Sequence, residues 1–184
     1  LLERILLDAR SFMGADAGTI YVRDGSFLVF SHAQNDTLQK KLPAGEKLIY
    51  STFRIPISPS TIAGFVASTG KNLNINDVYS LTPDVPYRFD PAYDTMAQYK
   101  TRSMLTVPLK TEMGKIIGVL QMINARNEAG ENIAFDEEDE FYVDHFASAA
   151  SLVLQRAQMT RALLLRMIQM AQLRDPKETG PHVN

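Results

Sequence analysis

The sequence contains no cysteine, which excludes disulfides, thiolate metal sites and thiol nucleophiles. It also lacks an excess of charge of one sign: the net charge is −2, and no basic cluster is dense enough to form a nucleic-acid footprint, so we expect no nucleic-acid partner. No apolar run is long enough to span a membrane, and no signal-peptide pattern is visible. These absences predict a cytoplasmic protein without membrane contact.

What is present is typical of a globular protein. Of the 184 residues, 45% are hydrophobic and 22% are charged, which suits one domain with a proper core and a small appendage. The chain starts at Leu1 inside a helical pattern and stops at Asn184 without a helix stop signal or a polar tail. We therefore expect a piece of a longer protein.

Two apolar runs dominate the middle of the chain, Ser103–Leu109 and Ile116–Asn124, and a Gly-containing polar turn separates them. Runs of this kind predict a hairpin at the centre of a sheet. An earlier hairpin is predicted over 17–31, because Asp-Gly lies between two short apolar runs. Two further strands are predicted within 48–57 and over 73–75.

Helical spacing and helix end signals predict four helices, over 1–12, 59–68, 91–98 and 136–173. In the second helix, Ser58 serves as the expected N-cap, Pro59 as the first helical residue and Gly70 as the C′ residue. Residues 81–100 are irregular but carry four aromatic side chains, which favours a lid or binding loop over a disordered connection.

The last helix carries an apolar seam whose positions alternate steps of three and four residues. Its first half is expected to pack on the sheet. Beyond Gln155 little of the domain remains to pack against, so a parallel coiled coil is favoured over a solitary helix. The seam positions are 143, 146, 150, 153, 157, 160, 164, 167 and 171.

Three segments resemble the signature of GAF domains: Ile62–Tyr79, Thr101–Leu109 and Gly118–Asn124. The resemblance covers about residues 1–155 and implies an α+β, GAF-like (PAS-related) fold. In that fold a central antiparallel sheet of about six strands is flanked by helices and followed by a long C-terminal helix. It also implies a ligand pocket under the lid loop and a homodimer formed through the terminal helices. Residues 156–173 would then be a coiled-coil linker.

GAF domains that bind cyclic nucleotides carry a motif to which Asn124, Phe135, Asp139 and Glu140 correspond, but Ala125 occupies the position of its lysine. That lysine pairs with the aspartate in the family, so its loss weakens the cyclic-nucleotide interpretation unless Arg126 replaces it. A structural alternative is a helix start, in which acidic residues follow an apolar anchor.

A binding pocket is expected to use the backbone amides near Ile62 and Ala63, since a helix N-terminus offers donors. Five side chains are further candidate ligand contacts by family position. Each side chain has a structural alternative as a turn, lid-packing or strand residue. The five side chains are Asp77, Tyr79, Phe89, Thr101 and Gln121.

No Gly-rich phosphate loop or nucleophile elbow is present, and the three histidines are scattered, so the fragment itself is predicted not to be an enzyme.

Residues 174–184 resemble the opening of an HD-GYP-type metal-dependent phosphohydrolase domain. The resemblance places Glu178 and His182 as ligands of a divalent Fe or Mn ion in the full-length parent. The alternative is a solvated tail.

These resemblances together predict a small-molecule-sensing regulatory domain that transmits its ligand state through the C-terminal helix. The parent would be a signalling phosphohydrolase of the cyclic-di-GMP phosphodiesterase type. The alternative is a dimerisation module without a ligand.

Overall fold

The computed structural model describes residues 1–50 and 53–174, so Glu178 and His182 lie outside the described residues. The helices are α1 (Leu2–Met13), α2 (Asp36–Lys40), α3 (Ile62–Thr69), α4 (Ala92–Ala97) and α5 (Glu137–Arg174). The strands are β1 (Ala15–Asp24), β2 (Phe27–Asn35), β3 (Arg54–Pro56), β4 (Leu73–Ile75), β5 (Met104–Lys110), β6 (Ile116–Arg126) and β7 (Asn132–Ile133).

The strands form one antiparallel sheet with the order β3-β2-β1-β6-β5-β4, and β7 pairs with β6 beside this path. The long strands β1 and β6 lie at its centre. Thr19 pairs with Gln121 across them, and Thr106 of β5 continues the same row. The predicted α+β architecture with a central sheet of about six strands is therefore confirmed.

The two faces of the sheet are covered by different elements. Helices α1 and α5 cover one face, where Leu6 and Val143 pack with Ile20, Leu105 and other fully buried residues. Helix α3 and the lid segment (residues 81–100) cover the other face through two smaller apolar clusters. Burial on both faces explains why β5 and β6 read as nearly continuous apolar runs.

Most of the predicted elements are confirmed. Both hairpins, the strand at 73–75 and the helices at both ends are present, and a short helix, α4, lies within the lid segment. Gly14 and Gly70 end α1 and α3 in the left-handed conformation with φ of 66° and 72°, which glycine adopts without strain.

One local prediction was wrong, and one helix was not predicted. Thr61, not Ser58, caps α3, because its hydroxyl accepts from Gly64 N at 3.0 Å while the Ser58 hydroxyl bonds to Ser60. The third strand lies within the predicted range 48–57, at Arg54–Pro56, where it pairs with the start of β2. The polar stretch after β2 holds the unpredicted helix α2, which Asn35 caps and Leu38 anchors in the core.

Helix α5 changes its surroundings along its length. Val143, Ala150 and Leu154 are buried against the sheet, whereas every residue from 156 to 174 is exposed. The exposed part includes Leu164 (55% exposed) and Met167 (64% exposed). Among the described residues, no helix is both long and apolar enough to cross a membrane.

Candidate functional site

A cavity of about 150 Å³ lies between the sheet and the lid segment. Strands β1, β2, β5 and β6 form its floor, the lid segment forms its roof, and Tyr50 and Phe53 close one side. Seven aromatic side chains line it: Tyr21, Phe30, Tyr50, Phe53, Phe89, Tyr93 and Tyr99.

The pleat of the two central strands decides which side chains reach the cavity. Ala17, Thr19 and Tyr21 alternate along β1 toward it, while the intervening Ile20 belongs to the core beneath α1 and α5. Gln121 continues the floor from β6 and donates through its amide to the Thr106 hydroxyl at 3.2 Å. The floor is therefore a mixed polar and aromatic surface.

Burial raises the pKa of two tyrosines on the cavity wall. The pKa of Tyr50 rises to about 12, with a further contribution from Tyr93, and the pKa of Tyr21 rises for the same two reasons. The Tyr50 hydroxyl is buried and has no hydrogen-bond partner among the described residues. Both side chains therefore remain neutral at physiological pH.

Asp94 of α4 holds the lid segment to its neighbours. Its carboxylate accepts from the Tyr79 hydroxyl at 2.5 Å, from Thr101 N at 2.9 Å and from the Thr101 hydroxyl at 2.7 Å. The hydrogen bond to this carboxylate is the main reason that the pKa of Tyr79 rises to about 12. Lys100 adds a cation–π contact, with Nζ 3.5 Å from the Tyr79 ring centroid.

Asn124 joins the end of the lid segment to β6. It is fully buried with φ of 57°, a conformation that asparagine tolerates better than most residues. Its amide nitrogen donates to Lys100 O (2.8 Å) and the Tyr99 hydroxyl (2.9 Å), and its amide oxygen accepts from Arg102 N (2.7 Å). One side chain thus fixes the path of the chain from residue 99 to 102.

The Tyr99 hydroxyl extends this network to a second buried acid. It donates to the Asp16 carboxylate at 2.7 Å, and burial and Asp16 both raise the pKa of Tyr99. Asp16 also accepts from the Thr37 hydroxyl and pairs with Arg126 at 3.2 Å. The network therefore connects the lid segment to both central strands.

The remaining motif residues form the start of α5. Phe135 is buried, and its carbonyl accepts from the Asn74 amide at 2.9 Å. Asp136 and Asp139 cap each other, since each carboxylate accepts the backbone N–H of the other residue at 2.8 to 2.9 Å. Burial is the main cause that raises the pKa of Asp139. Glu140 follows in the first turn and donates its backbone N–H to Asp136 O.

Ala125 lies where the family has its lysine, and it is buried in the core beneath α1 and α5. Arg126 does not replace that lysine: its guanidinium contacts Asp16 and Asn132. The expected pairing with Asp139 is therefore not made, and helix capping occupies this aspartate instead.

The structure separates the predicted ligand contacts into two groups. Phe89, Thr101 and Gln121 line the cavity. Tyr79 packs behind the wall against Phe89, with ring centroids 5.1 Å apart, and Asp77 caps the 3₁₀ turn that contains Tyr79. Backbone amides near Ile62 and Ala63 begin α3, and both side chains lie in the adjoining core clusters.

Sequence reasoning missed several residues that line the cavity, above all Asp94, Tyr99 and Tyr50. The four aromatic residues of the lid segment were a usable signal, but no pattern in the sequence distinguishes Asp94 from the other acidic residues. The burial of Asp94 accompanies the three hydrogen bonds that it accepts from Tyr79 and Thr101. Within residues 1–50 and 53–174, no group of three or more His, Asp or Glu side chains could hold a metal ion.

Comparison with known proteins identifies the family and relatives of this chain. The family model of the GAF domain matches residues 1–154. A dual 3′,5′-cyclic-AMP and -GMP phosphodiesterase 11 from Drosophila melanogaster is 32% identical over 144 residues, which is 78% of this chain and 9% of that protein. Phosphodiesterase 11A from Takifugu rubripes, also named as dual for cyclic AMP and cyclic GMP, is 35% identical over 101 residues, or 55% of this chain and 10% of that protein.

A solved structure supports the same fold. The GAF domain of a phosphoenolpyruvate-protein phosphotransferase from Coxiella burnetii superposes with a TM-score of 0.63 at 20% identity. The match covers 88% of this chain and 84% of that one. The chain thus corresponds to a whole domain of this structure but to only about a tenth of the length of the curated relatives.

Proposed function

This chain belongs to the GAF domain family, and from that premise we propose that it is a regulatory sensor domain of a signalling phosphohydrolase. A small molecule would occupy the cavity beneath the lid segment and alter the output of a neighbouring catalytic domain through α5. The chain itself would act by binding and not by catalysis, in the cytoplasm. Both curated relatives are named as phosphodiesterases, which supports a phosphohydrolase as the full-length protein.

The Asn124 network is the observation that carries this proposal. Any change in the path of the chain at residues 99–102, where the lid segment ends, must alter the three hydrogen bonds that Asn124 makes. Asn124 lies on β6, which leads through β7 and Phe135 into α5. A ligand that binds one arrangement of the lid better than another would therefore shift the arrangement of the α5 start as well.

The relatives' names make cyclic AMP and cyclic GMP the first ligands to test. Ligand pockets of proteins usually measure about 300–1,000 Å³, so a cyclic nucleotide would require the lid segment to move away from the sheet. The experiment is calorimetric titration of the 184-residue chain, followed by amide hydrogen exchange of α5 with and without the bound ligand. Ligand-dependent exchange at residues 137–150 is expected, and unchanged exchange there would refute the sensor function.

The small cavity also favours a second candidate function, a dimerisation module whose pocket is filled by its own aromatic side chains. This alternative predicts neither heat nor a shift of the melting temperature with any small molecule. It shares with the sensor proposal a homodimer that forms through the exposed half of α5.

For the parent protein, we propose an HD-GYP-type phosphohydrolase domain that begins near residue 174 and acts on a cyclic dinucleotide. Glu178 and His182 would supply two ligands for divalent Fe or Mn, which would activate a water against the phosphodiester. The test is metal analysis of the longer protein: loss of bound metal in a Glu178→Gln variant supports the assignment, and unchanged metal content contradicts it.

A further inference from the structure

From the walls of the cavity we propose that its ligand is a small organic cation of the alkylammonium class. The proposal rests on the sensory function proposed above, because it names the ligand of the same cavity. It depends on three observations: the charge of the lining, the environment of Asp94 and the number of aromatic rings.

The lining carries negative charge alone. Asp94 is the one charged side chain among the described residues that line the cavity, and none of them is Lys, Arg or His. The two buried or half-buried arginines nearby are already engaged, Arg10 with Asp36 at 3.1 Å and Arg126 with Asp16 at 3.2 Å. An anionic ligand would therefore enter beside a carboxylate without a side-chain cation to receive it.

The two buried acids of this region differ in how their charge is balanced. Asp16 pairs with Arg126, as buried carboxylates usually do. Asp94 is 5% exposed and accepts three hydrogen bonds, but no Lys or Arg of the described residues lies within 4.0 Å of it. Lys100 is exposed and lies on the Tyr79 ring instead. A cation in the cavity would balance this charge.

The aromatic rings supply the second half of the recognition. A quaternary ammonium group binds to ring faces and needs no hydrogen-bond acceptor, which is why cages of aromatic side chains bind it in proteins. Phe30 packs against three other rings of the lining, with ring centroids 5.3 Å from Phe53, 5.4 Å from Tyr50 and 5.9 Å from Tyr21, so this wall of the cavity is aromatic. Tyr93 and Phe89 complete the walls from the lid segment.

The size of the cavity agrees with this ligand class. A protein cavity of about 150 Å³ accepts benzene, which has six heavy atoms. Tetramethylammonium and choline are close to that size, whereas a cyclic nucleotide is several times larger. The cation can therefore occupy the cavity with the lid segment in the position seen here.

The test is calorimetric titration of the 184-residue chain with choline and tetramethylammonium, and with 3,3-dimethyl-1-butanol, the uncharged analogue of choline. Both cations are expected to bind, and the uncharged analogue to bind about tenfold more weakly or less, because it loses the cation–π and carboxylate attraction. Equal affinity of choline and its analogue, or no binding of either cation, would overturn the proposal.

The Asp94→Asn variant tests the carboxylate, since an asparagine can still bond to Thr101 and Tyr79. Its affinity for choline is expected to fall about tenfold while its affinity for the uncharged analogue is unchanged. Asp90→Asn is the matched control, because Asp90 is an exposed residue of the same segment whose carboxylate accepts from Ala92 N, and it should bind choline like the parent chain. Parent-like choline affinity in Asp94→Asn would contradict the proposal.

Two outcomes separate this inference from the sensor function. Binding of cyclic nucleotides with α5 responding, but of no cation, overturns the cation assignment and retains the sensor. Binding of cations without any change in the hydrogen exchange of α5 supports the cation assignment and refutes the sensor.

Discussion

Asn124 shows how much a single side chain does at this site. Its backbone is left-handed, and both ends of its amide bond to the chain at the end of the lid segment, the nitrogen to Lys100 O and the oxygen to Arg102 N. Because the amide is fully buried, any replacement leaves at least one partner without a hydrogen bond.

Asn124→Asp is expected to lower the free energy of unfolding by about 2 kcal/mol, because the carboxylate keeps the bond from Arg102 N but loses both donors. Urea unfolding measures this loss. Asn132→Asp is the control, since Asn132 is exposed and keeps its acceptor for Arg126; it should change stability by less than about 0.5 kcal/mol. Equal losses in the two variants would show that Asn124 is not the anchor of the lid segment.

Ionisation of Asp77 makes the stability of the folded chain depend on pH. The backbone N–H of Tyr79 is the main cause that holds the pKa of Asp77 below its usual value of 3.8, and Ser80 and Arg102 add to it. A lowered folded-state pKa contributes stability above pH 3.8, and this contribution disappears as the pH falls through the folded-state value.

Asp77→Asn should therefore be less stable than the parent chain at pH 7, and the difference should shrink below about pH 3.8. Urea unfolding at pH 7, 5 and 3 measures it. A difference that stays constant across this range would mean that ionisation of Asp77 makes no contribution.

At the scale of elements, the close approach of the central strands depends on Gly118. A Cβ atom there would lie 2.4 Å from Tyr21 O and 3.1 Å from Leu109 Cδ1, so the backbone of β1 would have to shift. Gly118→Ala should lower the free energy of unfolding by about 3 kcal/mol.

Gly114 is the matched control for this substitution. It lies in the turn between β5 and β6 with φ of 81° and open space around it. Gly114→Ala should cost only about 1 kcal/mol through backbone strain, as measured by the same unfolding experiment. A loss as large as that of Gly118→Ala would contradict the steric argument.

Elements fixed by local chemistry were predictable from the sequence, and those fixed by distant contacts were not. Asp24–Gly25 favours a hairpin turn, and Gly70 favours the left-handed conformation that ends a helix. The first hairpin and the end of α3 therefore follow from a few neighbouring residues. The start of α3 could not be predicted in this way, since Ser58 and Thr61 are both residue types that cap helices well. Gly64 lets the helix start approach residues 56–58, with a Cβ position 2.5 Å from Ser58 O.

The same distinction explains the site. Phe89, Thr101 and Gln121, which were predicted from the family resemblance, line the cavity, because the resemblance includes where the lid lies over the sheet. Tyr99 and Asp16 meet across 83 residues of sequence, and no local pattern reports such a contact. Asp94 is buried where it accepts hydrogen bonds from Tyr79 and Thr101, and the spacing of a six-residue helix does not report these contacts either.

At the scale of the whole molecule, the second half of α5 exposes apolar side chains that nothing in a single chain covers. Leu164, Met167 and Ile168 are all more than half exposed, and an apolar stripe of this length is costly in water. The proposed homodimer would cover it.

Changing both Leu164 and Met167 to Lys should abolish self-association, because it places charge on the proposed seam. Sedimentation equilibrium measures the mass of the species in solution. The control changes Gln169 and Gln172 to Lys, which adds the same charge beside the seam and should leave the dimer intact. A monomeric parent chain, or equal effects of both pairs, would contradict a dimer through α5.

The aromatic walls also make the cavity visible to spectroscopy. The chain has no tryptophan, and four of its seven tyrosines line the cavity, Tyr21, Tyr50, Tyr93 and Tyr99. Ultraviolet emission from the native protein therefore comes from tyrosine, without a brighter indole to mask the tyrosines of the cavity walls. Occupancy of the interior can be followed by tyrosine fluorescence of the unlabelled chain.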